Sequence, residues 1–125
     1  MEAKKQIRRD MLQRRKDCPA ELRRQADKKI ASTVFSLPQF QEAEEIYTYV
    51  SYREEVSTRE LIERALAEKK KVAVPKVLSP GHMEFYYIGS LMEVTPGYRG
   101  IPEPGKDAPA AEGKHGVILV PGLAF

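Results

Sequence analysis

The chain of 125 residues is long enough for one domain with a buried core and short for a complete doubly wound α/β enzyme. Its 21 lysines and arginines against 18 acidic residues leave a net charge of only +3, too mild to argue for nucleic acid or a membrane surface. One cysteine, Cys18, excludes an internal disulfide, two isolated histidines offer no zinc-ligand spacing, and no apolar stretch has the length of a signal core or a membrane span, so a cytoplasmic protein is expected.

The charge is unevenly spread: seven basic residues (Lys4, Lys5, Arg8, Arg9, Arg14, Arg15, Lys16) fall within the first sixteen positions. Ala3, Ile7 and Met11 recur every four residues there, which predicts a helix over 3–16 with a narrow apolar stripe. Lys4 and Arg8 lie one turn apart, as do Lys5 and Arg9, so each pair can converge on one anion or can simply be a solvated face. Pro19 at a first helical position, followed by Leu22, Ala26, Ile30 and Val34, predicts a second helix ended by Pro38. Ile46 to Val50 is β-branched and aromatic and reads as the strand that opens the sheet. Ser57 three residues before Glu60 matches a capping box, with Leu61, Ile62, Ala65 and Leu66 as the buried face of the helix behind it. Val72-Ala73-Val74 reads as a short buried strand stopped by Pro75. Strand, helix and strand make a βαβ unit and predict a parallel sheet.

Met83 to Ile88 alternates enough for a strand at or near the sheet edge. Between Val94 and Gly116, four prolines and five glycines without apolar periodicity predict a long loop. Val117-Ile118-Leu119-Val120 reads as a central parallel strand covered on both faces, turned by Pro121-Gly122. In such sheets ligands bind beyond the carboxyl ends of the strands, which singles out Ser51 to Val56, Pro75-Lys76 and Pro121 to Phe125. Tyr52 to Glu55 offers an aromatic platform and two carboxylates suited to the N–H donors of a heterocycle, or else solvated loop charges. Pro102-Glu103-Pro104 fixes a glutamate between two prolines. His82 and His115 lack catalytic partners at any recognised spacing and read as surface residues, and Cys18 has no companion base, which favours a structural role. There is no glycine-rich phosphate loop and no nucleophile with its base. From the residues alone the reading is a small-ligand α/β domain, 1–125, incomplete at its C-terminus.

Four segments in order, Lys4-Lys5-Gln6-Ile7-Arg8, Val50 to Thr58, Gly100-Ile101-Pro102-Glu103-Pro104 and Val120 to Phe125, resemble the 5-formyltetrahydrofolate cyclo-ligase (methenyltetrahydrofolate synthetase) family along the whole chain. The resemblance implies a three-layer α/β/α fold with a mostly parallel sheet, related to the sugar-phosphate isomerase and CoA-transferase group. It implies an ATP- and Mg²⁺-dependent cyclisation of 5-formyltetrahydrofolate to 5,10-methenyltetrahydrofolate by a cytoplasmic monomer that binds no nucleic acid. By position, Lys4, Lys5, Gln6, Ile7 and Arg8 would hold ATP, with Lys4 and Arg8 on its phosphates. Val50, Tyr52, Glu55 and Glu103 would form the folate site, Glu55 accepting hydrogen bonds from the pterin. In the family the last segment continues into an aspartate and an Arg- and Gly-rich stretch that wraps the phosphates and helps hold the metal. The chain is therefore expected to lack the last third of such a domain, to contain no metal ligand or catalytic residue of its own, to expose apolar surface beside Val117 to Val120, and to be inactive alone. The alternative is a non-catalytic binding module of the same fold for folate, a nucleotide or RNA.

Overall fold

The computed structural model describes residues 2–51, 56–97, 100–113 and 116–120. Helix α1 (Glu2–Asp17) buries no residue. Of its predicted apolar stripe, Ala3 and Ile7 stay exposed, as does Leu12 beside them, while Met11 is half-buried. Helix α2 (Ala20–Ser36) follows, with Pro19 as its N-cap. Pro38 does not merely end α2: it opens a further short helix, α3 (Pro38–Glu42), because a proline with its φ preset and no N–H to satisfy suits a first helical turn.

Strands β1 (Glu45–Thr48), β2 (Lys71–Ser79), β3 (His82–Ile88) and β6 (Gly116–Leu119) form one sheet in the order β3-β2-β1-β6. Helix α4 (Arg59–Ala67) links β1 to β2. Strand β1 is parallel to both β2 and β6, and β3 runs antiparallel on the edge, as its alternating pattern predicts. The expected mixed α/β fold with a mostly parallel sheet is met.

Pro75 does not stop β2, which runs on to Ser79. The last β2 residue paired with β1 is Ala73, so at Pro75 the strand has a neighbour only on the β3 side, where Pro75 faces Phe85. A proline is tolerated in a strand with one free side because its missing N–H removes no ladder bond there. The proline-rich segment after β3 also contains more order than its composition suggests. A 3₁₀ turn (Leu91–Glu93) leads into β4 (Val94–Pro96), which pairs antiparallel with β5 (Pro102–Pro104) in a separate two-stranded ribbon.

One core lies between the sheet and the helices. Ile46, Val72, Val74 and Ile88 meet Leu61, Ile62 and Ala65 of α4 and Phe40 of α3, all buried, with Val34 and Phe35 of α2 packed against them. The opposite sheet face carries Tyr47, Phe85 and Tyr87; the rings of Tyr47 and Phe85 are 5.4 Å apart and tilted. Strand β6 is an edge strand among the described residues, where its sequence reads as a central one. Gly116 sits so close to β1 that a Cβ there would meet the Glu45 carbonyl oxygen at 2.5 Å, so this first β6 position has no room for a side chain. Ile118 and Val120 are 58% and 72% exposed, matching the expected apolar surface beside this strand.

Candidate functional site

The carboxyl end of β1 is built around Thr58. Thr58 is 3% exposed, and its hydroxyl donates to the Tyr49 carbonyl at 2.8 Å while accepting from the Ser51 N–H at 3.0 Å. Tyr49 reinforces the closure, its phenol donating to the Val56 carbonyl at 3.0 Å. The chain leaving β1 is thus tied to the N-terminus of α4. The predicted capping box is not formed: Thr58, not Ser57, is the N-cap, and it makes no side-chain cap bond because its hydroxyl is committed to the strand end. Residue pattern alone hid Thr58, since only the tertiary fold brings Tyr49 and Ser51 to it.

Of the folate candidates, Val50 sits at this strand end, but it is 2% exposed and belongs to the hydrophobic core. Its backbone and its packing hold the strand end in place. Tyr52 and Glu55 lie outside the described residues, as do His115 and Pro121 to Phe125. Glu103 is half-buried on β5, its carboxylate lying over Gly97, where an added Cβ would fall 1.9 Å from Oε1. The ribbon that carries Glu103 packs against β2, the neighbour of β1, and against β3 beyond it.

The ATP candidates Lys4, Lys5, Gln6, Ile7 and Arg8 are all exposed on the first turns of α1. Gln6 donates to Asp10 at 2.9 Å, and Lys5 and Gln6 line a shallow groove with Arg9. Beside Ser51, Val56 and Ser57 opens a cavity of about 700 Å³, whose other wall is the second half of α1 and the first half of α2. Arg15 of α1 lines it, and Lys4, eleven residues earlier, stands about 16 Å away along the helix axis. Met11 lines it too, only about 4–5 Å along the axis from Arg8, and Lys4, Arg8, Met11 and Arg15 share one stripe of α1, so the basic turns lead directly to the cavity. Among the described residues no three metal-ligating side chains come together.

At the opposite end of the parallel strands a polar network has a structural role. Tyr87 donates to the Glu45 carboxylate, Tyr47 donates to the same oxygen at 3.4 Å, and the N–H groups of Glu112 and Gly113 donate to the two phenols at 3.0 and 2.7 Å. This clips the segment before β6 onto the sheet. The Glu112 N–H pulls the Tyr87 pKa down, but the hydrogen bond to Glu45, burial, the Tyr47 bond and the Glu45 charge outweigh it and carry it from 10.0 to about 12. A pKa raised in the folded state gives stability that is full below the ordinary value and is lost as pH climbs from there through the folded value. In a phenolate absorbance titration one tyrosine should therefore ionise at about 12, and Tyr87→Phe should remove that step. A single transition near 10 for all tyrosines in the folded protein would contradict the network.

A mostly parallel sheet with a cavity beside the carboxyl end of its first strand makes this an α/β protein with a cleft where such sheets commonly hold ligands. The model of the 5-formyltetrahydrofolate cyclo-ligase family matches residues 1–125, and the chain belongs to that family. Among solved structures it is similar to the NMR structure of Aquifex aeolicus 5,10-methenyltetrahydrofolate synthetase, with 29% identity and a TM-score of 0.84. That match covers 98% of this chain and 62% of the other. No curated protein matches the chain in sequence.

Proposed function

We propose that this chain takes part in the ATP-dependent conversion of 5-formyltetrahydrofolate to 5,10-methenyltetrahydrofolate with release of ADP and phosphate. The observation that carries the reading is the family match over residues 1–125, joined to a strand end that the fold holds rigid beside an open cavity. In that reaction ATP supplies the phosphoryl group that turns the formyl oxygen from a poor leaving group into a good one.

The contribution of this chain is positioning and charge. Lys4 and Arg8, exposed on one face of α1, fit the nucleotide phosphates: a point charge and a planar fork of donors one turn apart. Glu55 accepts hydrogen bonds from the amino and ring N–H groups of the pterin, Tyr52 stacks on it, and Val50 anchors the strand end. Glu103 approaches from the ribbon. The described residues contain no cluster that fits Mg²⁺, so no step is assigned to the metal.

The test is binding and turnover measured separately on the 125-residue chain. The expected result is saturable binding of 5-formyltetrahydrofolate, weakened about tenfold or more by Glu55→Gln, and of ATP, weakened similarly by the Lys4→Gln/Arg8→Gln pair. Methenyl product, followed by its absorbance, assigns catalysis to the chain, whereas binding without product assigns it a binding role. Failure to bind either ligand overturns the proposal.

A further inference from the structure

The ribbon that carries Glu103 contains a glycine that its backbone does not require. Gly97 lies outside the left-handed region, unlike Gly100, which closes the same turn at a φ of +77°. Its peptide groups are engaged in that turn: its N–H donates to the Ile101 carbonyl at 2.9 Å, and its carbonyl accepts from the Gly100 N–H at 2.9 Å. What excludes a side chain is space. The three atoms nearest to a Cβ built on Gly97 are Oε1, Cδ and Cγ of Glu103, all far inside van der Waals contact. Glu103 pairs with Thr95 across the ribbon, so its side chain reaches diagonally to the position two residues on. The backbone beneath it is stiff, because Pro102 and Pro104 have fixed φ and Pro104 also confines the residue before it to extended conformations. The place of the carboxylate is therefore set by its χ angles, and the bare backbone of Gly97 leaves it a seat. Glu103 is half-buried, and no hydrogen bond or ion pair joins its carboxylate to another described residue. Tyr98 and Arg99 of the turn lie outside the described residues. A carboxylate drawn out of water is costly unless a donor meets it.

We propose that Gly97 is a positioning residue of the folate site: by having no side chain it holds open the space in which the Glu103 carboxylate is kept as an acceptor for a ligand N–H group. The identity of the ligand rests on the cyclo-ligase reading, and the seat rests on the geometry alone. Because a new Cβ would meet a side chain and not backbone, Gly97→Ala should turn Glu103 aside and leave the ribbon folded.

The seat is read directly by NMR, as a nuclear Overhauser contact between the Gly97 Hα and Glu103 Hγ protons of the unmodified chain. Its absence overturns the proposal whatever the ligand. Calorimetric titration of 5-formyltetrahydrofolate then compares the unmodified chain with Gly97→Ala, Glu103→Ala and the double variant, with urea denaturation alongside. The expected result is an affinity about tenfold or more weaker in each single variant, a double variant no weaker than Glu103→Ala, and a Gly97→Ala urea midpoint close to the parent. A structural role alone would not give that combination. Losses that multiply in the double variant would mean that Gly97 acts otherwise than through Glu103, and overturn the proposal. If the unmodified chain binds and Glu103→Ala binds equally well, the carboxylate serves the ribbon, as by pairing with Arg99, and the proposal fails while the cyclo-ligase reading stands. No binding by the unmodified chain removes both.

Discussion

Phe40→Ala should destabilise the protein by about 3–5 kcal/mol, the range for emptying a fully buried aromatic site. Phe40 is 1% exposed and is among the largest side chains in the core. Its ring lies 5.6 Å from that of Phe35, tilted, and the Lys70 ammonium sits 5.3 Å from its centroid. Lys70 in turn donates to the carbonyls of Gln41 and Ala43, at 3.0 and 2.7 Å. One ring therefore joins α2 and α3 to the turn between α4 and β2, and its loss removes packing on both sides at once. Single domains have only about 5–15 kcal/mol in total, so urea denaturation should show a sharply lowered midpoint, and Phe40→Leu a smaller one. A Phe40→Ala midpoint within error of the parent would mean that α3 is not packed as described.

The same residue shows where the sequence was legible and where it was not. Apolar spacing identified the buried face of α4, the Val72 to Val74 segment and the edge strand β3, because each obeys the period of its own element. Phe40 escapes periodicity because α3 is too short for it, and Pro38, which ends α2 as its pattern predicts, also opens α3. Pro75 misled for a related reason: whether a proline ends a strand depends on which neighbours the strand has there, a property of the sheet. Strands β4 and β5 carry prolines and only three residues each, so their pairing comes from packing against β2 and not from local pattern. At the site, the arginines of α1 read as a charged face. Arg23 and Arg59 come beside them only through the fold, so the cavity they line could not be seen from spacing.

Thr58→Val is the substitution that should separate site geometry from core stability. Valine keeps the volume and branching of threonine but cannot hydrogen-bond, which takes from the Ser51 N–H the acceptor it has now, while the Tyr49 carbonyl keeps the Thr48 hydroxyl at 3.0 Å. A stranded N–H costs about 1–3 kcal/mol when water cannot reach it, so a loss of that size in urea denaturation is expected. Thr58→Ser keeps both bonds and forfeits only a buried methyl, at a cost of about 1 kcal/mol. The more telling comparison is at the site. The two bonds tie Tyr49 and Ser51 to Thr58 at the end of β1, so their loss loosens the described part of the strand end. Affinity for 5-formyltetrahydrofolate should fall in Thr58→Val, measured where the variant is still folded, and return in Thr58→Ser. Phe40→Ala, under conditions where it too remains folded, should leave that affinity close to the parent value because Phe40 lies in the core on the helix side, away from the strand end. Equal affinity in Thr58→Val and the parent would show that the hydroxyl closes the strand end for stability alone.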